Sequence, residues 1–103
     1  MPYRSAILEA LGDPTRREIL DKLRAGPRAV GEIAAGMTIS RPAVSQHLKV
    51  LKESGLVAET RAGTRHYFAI APEGLGELRA YLDELWSDAL AAFARHVEKE
   101  RPS

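Results

Sequence analysis

Cysteine is absent from all 103 positions. That absence excludes disulfides, thiol redox sensing and every metal site built on thiolates, including those that arsenic or cadmium sensing requires. Long apolar runs are missing too. No stretch suffices to cross a bilayer, and Met1-Pro2-Tyr3-Arg4-Ser5 lacks the apolar run of a signal peptide. A cytoplasmic protein with no membrane partner is the expectation. There is no Gly-rich phosphate loop, no nucleophile elbow and no HExxH, so neither an enzyme nor a cofactor is expected. The paired acids Asp83 and Glu84 read as a solvated helix flank.

Charge of one sign is also lacking overall, with a formal net charge of +1, but its distribution is uneven. Residues 72–103 hold four basic and seven acidic residues, a net −3, and the first 71 hold eleven and seven, a net +4. A basic front with an acidic tail suits a DNA reader carrying a separate helical element. The length fits one domain, residues 1–103.

The chain is well punctuated. Tyr3, Ile7, Ala10 and Leu11 form a short helical stripe before Gly12-Asp13-Pro14, where Asp13 is placed to cap a helix and Pro14 to open it. Ile19, Leu20 and Leu23 recur at helical spacing, and Gly26-Pro27 ends that helix. Val30, Ile33, Ala34 and Met37 give a second, shorter helix. After the turn Thr38-Ile39-Ser40, with Ser40 as cap, a helix is predicted over about 41–54, burying Val44, Leu48 and Leu51 and stopping at Gly55. Two β-type runs follow, Val57–Arg61 and Arg65–Ile70, joined by Ala62-Gly63-Thr64. A long helix over about 72–98 closes the chain. Its first turns carry Gly74 and Gly76, and its wide apolar stripe runs through Leu75, Leu78, Leu82, Leu85, Trp86, Ala89, Leu90, Phe93 and Val97.

This order predicts a mainly α fold with a small β-hairpin: a winged helix-turn-helix, with the hairpin at about 57–70 as the wing. The helix over 41–54 is the candidate recognition helix. Its outward face carries Pro42, Ser45, Gln46, Lys49 and Glu53, with Arg41 at the exposed N-terminal end beside Ser40. Arg bonds guanine O6 and N7 bidentately and Gln pairs with adenine, whereas Ser45 serves bases or phosphates. Lys49 and Lys52 are placed for phosphates, and Arg61 and Arg65 flank a tip shaped for a minor groove or flanking phosphates. Double-stranded DNA is the partner this pattern points to. His47 lies at the edge between buried and exposed faces, and His66, alternating with Phe68 and Ile70, reads as a partly buried strand residue. His96 and Glu100 have the i, i+4 spacing of half a zinc site, too few ligands to hold an ion alone.

The segments Ala10-Leu11-Gly12-Asp13-Pro14-Thr15-Arg16 with Ile19-Leu20, Ser40 to Leu48, and Leu51-Lys52-Glu53-Ser54-Gly55-Leu56-Val57 resemble the ArsR (SmtB-type) repressors along nearly the whole chain. The resemblance implies a homodimer built from the first and last helices and repression at an inverted-repeat operator. It implies a DNA role for Ser45, Gln46 and His47. The dimer face would comprise Tyr3 and Ile7 with Leu78, Leu82, Leu85, Trp86, Ala89 and Phe93; the long stripe independently exceeds what one small core covers. The chain departs from the family's metal sensors. The short helix reads Val30-Gly31-Glu32-Ile33-Ala34-Ala35-Gly36-Met37, without thiolates, and the last helix offers only His96 and Glu100. It is thus similar to the metal-independent branch, with no effector named by its residues. Two other readings stand beside this one: a winged helix that binds only protein, and a repressor released by an effector at the dimer interface.

Overall fold

The computed structural model describes residues 2–100, with side chains from Ser5 onward. Five helices and three short strands follow one another: α1 (Pro2–Leu11), α2 (Pro14–Leu23), β1 (Arg28–Ala29), α3 (Val30–Ala35), α4 (Arg41–Ser54), β2 (Val57–Ala62), β3 (Arg65–Ile70) and α5 (Pro72–Glu100). The helix starts have local causes. Asp13 takes an extended conformation and accepts the Thr15 and Arg16 N–H groups at 2.7 and 3.3 Å, with Pro14 at the first helical position. Ser40 does the same for α4, its Oγ accepting the Ala43 N–H at 3.3 Å. Gly55 ends α4 with φ 89°, a left-handed conformation that suits glycine.

Ile7, Ile19, Ile33, Val44, Leu48, Leu51 and Leu56 are almost wholly buried and form one core. Val44, Leu48 and Leu51 give α4 a buried stripe, and Leu56 and Val57 carry the core into the sheet. Each fully buried aliphatic side chain is worth about 1.5–3 kcal/mol relative to exposure.

Two features were not legible in the hydrophobic pattern. A third strand, β1, pairs antiparallel with β3 (Arg28 with Phe68, Ala29 with Tyr67), so the sheet order is β1-β3-β2. A two-residue strand has no alternation to read, and its register is supplied by β3. The hairpin is also tighter than expected. Ala62 pairs with Arg65, leaving Gly63-Thr64 as a two-residue turn. Gly63 has φ +66° and Thr64 does not have a positive φ, which is the pattern of a type II′ turn.

The molecule measures 70 × 26 × 24 Å, with a radius of gyration of 18.6 Å; a compact chain this long would give about 13 Å. The excess is α5. Its 29 residues extend about 43 Å at 1.5 Å per residue. Its first turns pack on the body, with Gly74 buried and Leu78 against the core. From Leu82 onward every described residue is exposed.

A candidate nucleic-acid interface

Helix α4 is presented by what lies beneath it. Packing against α1, α2, α3 and β2 fixes its buried stripe, which leaves Pro42, Ser45, Gln46, Lys49 and Glu53 exposed. Val50 is the sole large apolar residue exposed on this helix, at 39%, so the outward face is polar and charged rather than the apolar patch of a protein interface. His47 is half-buried on the α2 side and interacts electrostatically with Asp13.

The wing stands beside α4, and a carboxylate ties the two together. Glu59 on β2 accepts from Lys52 Nζ of α4 at 2.8 Å and contacts His66 Nδ1 of β3 at 2.5 Å. These side-chain hydrogen bonds hold its carboxyl below the ordinary carboxylate value. Asp13 is also lowered: burial opposes its charge, but the Thr15 and Arg16 N–H groups and the Arg16 cation outweigh it.

The arginines from Arg16 to Arg28 are tied down. Arg16 donates to the Ala10 and Glu9 carbonyls and Arg17 to that of Leu11; Arg24 pairs with Asp21, and Arg28 with Glu32. On α4 and the wing, Arg41, Lys49, Arg61 and Arg65 are exposed, and none has a hydrogen-bond or ion-pair partner among the described residues. Four uncommitted cations thus cluster around one helix and one hairpin tip. Lys52, also expected at phosphates, is instead engaged by Glu59.

Other expected residues fall differently. His66 is exposed, with 42% of its side chain accessible, rather than partly buried; it shares the face of Phe68 and Ile70, but it lies at the tip end of the hairpin, past the reach of the core, where Glu59 meets it. Ile7, expected at a dimer face, is 1% exposed in the protomer's own core, because α1 packs between α4 and α5. Leu78 is likewise drawn against the core. Among the described side chains of α1, the exposed apolar one is Leu8. The Tyr3 side chain lies outside the described residues. Leu82, Leu85, Trp86, Ala89 and Phe93 are exposed along one side of α5, Trp86 at 68%. His96 and Glu100 approach to 3.8 Å on the exposed end of α5, and among the described residues no three His, Cys, Asp or Glu side chains gather around one point.

Glu59 is the functional neighbour that sequence reading missed. It lies seven residues beyond Lys52, across the Gly55 reversal, so no helical or strand spacing links them.

Residues 13–59, which span α2, α3, α4 and the start of the wing, match the family model described as bacterial regulatory protein, arsR family. The chain is 50% identical over 92 residues to the HTH-type transcriptional regulator Rv2034 of Mycobacterium tuberculosis, covering 89% of this chain and 86% of that protein. The chain belongs to the arsR family. It is a transcriptional regulator and not an enzyme. The transcriptional repressor SdpR of Bacillus subtilis is 39% identical over 64 residues, covering 62% of this arsR-family chain and 71% of SdpR. Among solved structures, the homodimeric winged helix-turn-helix DNA-binding domain Mb0332 of Mycobacterium bovis superimposes with a TM-score of 0.68 at 34% identity, covering 84% of this chain and 81% of that one. Among the described residues, no helix is long and apolar enough to cross a membrane.

Proposed function

We propose that the protein is a homodimeric, sequence-specific repressor that binds an inverted-repeat operator in the cytoplasm and occludes transcription without a metal effector. The observation that carries DNA binding is the cluster of uncommitted cations, Arg41, Lys49, Arg61 and Arg65, around a helix whose exposed face offers Ser45 and Gln46. Ser40, Pro42 and the half-buried His47 complete the rim of that surface. Repression is supported by a relative named as a repressor, and the dimer by a homodimeric structural neighbour.

Physically, each α4 enters a major groove and Gln46 meets base edges. Lys49 and the wing arginines neutralise phosphates, which makes affinity fall with salt. The two-fold interface is supplied by α5, whose exposed stripe has no other cover. Burying Leu82, Leu85, Trp86, Ala89 and Phe93 on a second copy returns up to about 1.5–3 kcal/mol for each large side chain, before the cost of association. Metal independence is supported by the sequence, which has no cysteine.

The test is fluorescence anisotropy on DNA from upstream of the protein's own reading frame, with salt titration, random competitor and chelator. Salt-sensitive binding that survives competitor and ignores chelator is expected. Equal affinity for all duplexes would overturn the sequence-specific reading, and loss of binding with chelator the metal-independent one.

A further inference from the structure

Between α3, the start of α4 and the wing lies an open groove of about 690 Å³, lined by Gly31, Glu32, Arg41, Glu59, Arg65 and His66 among others. Its position on the DNA side of the molecule depends on the reading above; its contents make a separate case. Arg41 stands three residues before Val44 and seven before Leu48, so it continues the buried stripe of α4 rather than the outward face that carries Gln46. Its side chain accordingly reaches sideways over α3: a Cβ on Gly31 would lie 3.6 Å from its Nη1. Arg65 enters the same groove from β3. The groove's acids are already satisfied. Glu32 accepts the Ala29 N–H and pairs with Arg28, and Glu59 is held by Lys52 and His66. What remains uncommitted is two arginines, one from the start of α4 and one from the wing, both lining a space open to solvent.

We infer that this groove seats one phosphodiester of the DNA backbone between Arg41 and Arg65, and that Arg41 is therefore a backbone anchor and not the base reader that its place at the head of α4 implies. Guanidinium forks match phosphate oxygens bidentately. A base edge lies deeper in the major groove, along the outward face, where Arg41 does not point. Gly31 matters because any longer side chain there stands against the guanidinium.

The experiment compares wild type with Arg41→Ala and Gly31→Asp on an operator duplex and on random duplex across a salt series. Arg41 has no partner among the described residues, so Arg41→Ala keeps its melting temperature. Gly31→Asp leaves Arg41 in place but sets a carboxylate beside it, in the first turn of α3 where an acid is favourable. Both variants are expected to lose on the order of tenfold in affinity, by the same factor on both duplexes. The slope of log K against log salt becomes shallower by about 0.9, one phosphate's share. A methylphosphonate scan of the operator then shows one position per half-site where neutralising the phosphate weakens wild type but leaves Arg41→Ala unchanged. A change in base preference in Arg41→Ala, or an unchanged salt slope, overturns the inference. Because the slope is read on random DNA too, loss of sequence preference in wild type would defeat the repressor reading while leaving this test intact.

Discussion

At the scale of single residues, the two glycines that open α5 do opposite work. Gly74 sits against the end of α4, where a Cβ would fall 2.1 Å from the Gly55 carbonyl oxygen, with only backbone to yield; at Gly76 nothing lies within 4 Å. Gly74→Ala is expected to destabilise the fold by about 1–3 kcal/mol, whereas Gly76→Ala stabilises it by roughly 0.5–1 kcal/mol through helix propensity. Urea denaturation of the pair checks both signs. The sequence shows two equivalent helix-weakening glycines, because close approach of distant backbones leaves no mark in local spacing. Asp13 and Glu59, both lowered in the folded chain, stabilise it fully above the ordinary carboxylate values and cease to do so as pH falls through their folded values. The variant carrying Asp13→Asn and Glu59→Gln should therefore show a flatter loss of stability below about pH 4.5 than wild type, followed by thermal melts across pH. On α4, Gln46→Ala is expected to relax preference at one base position, at a cost of about 1–3 kcal/mol on the preferred base, whereas Lys49→Ala weakens all duplexes alike. Competition binding against single-base operator variants separates the two.

At the scale of elements, the long helix sets the largest demand. The exposed apolar side of α5 runs from Leu82 through Trp86 and Phe93 to Val97, and water is a poor partner for so continuous a stripe. The variant with Leu85→Glu and Trp86→Glu is expected to sediment as a monomer at micromolar concentration, with the protomer core intact, since neither residue touches it. A variant mass equal to that of wild type would remove α5 from the interface. Much of this scale was legible in the chain. Asp13 and Pro14 marked the start of α2, and Ser40 and Gly55 marked both ends of α4, because caps and C-terminal glycines act on adjacent backbone groups; α2 ends at Leu23, short of the Gly26-Pro27 expected to close it. What escaped was decided by partners distant in sequence. Strand β1 exists because β3 offers an edge. Ile7 is interior because α1 is clasped by α4 and α5. Lys52 is tied to Glu59 because the chain reverses between them. Periodicity tells which face of a helix is apolar, and cannot tell whether its own protomer or a second copy covers that face.

At the scale of the whole molecule, a small body of packed helices and a three-stranded sheet carries an exposed cationic surface, and an arm of α5 extends the particle to 70 Å. In the proposed dimer, the arm makes two such bodies into one reader. If α5 joins them about a two-fold axis, the two α4 helices meet successive major grooves about 34 Å apart on one side of the duplex. A repressor built this way gains specificity from spacing as well as from base contacts, since a single α4 reads few base pairs. The central claim, a two-headed reader of an inverted repeat, is tested most directly by selecting bound duplexes from a random library and weighing the complexes they form. Two protomers per duplex are predicted, on selected sequences sharing inverted half-sites centred about 10–10.5 base pairs apart, or a multiple of that. One protomer per duplex, or a selected pool with no shared half-site, would contradict it.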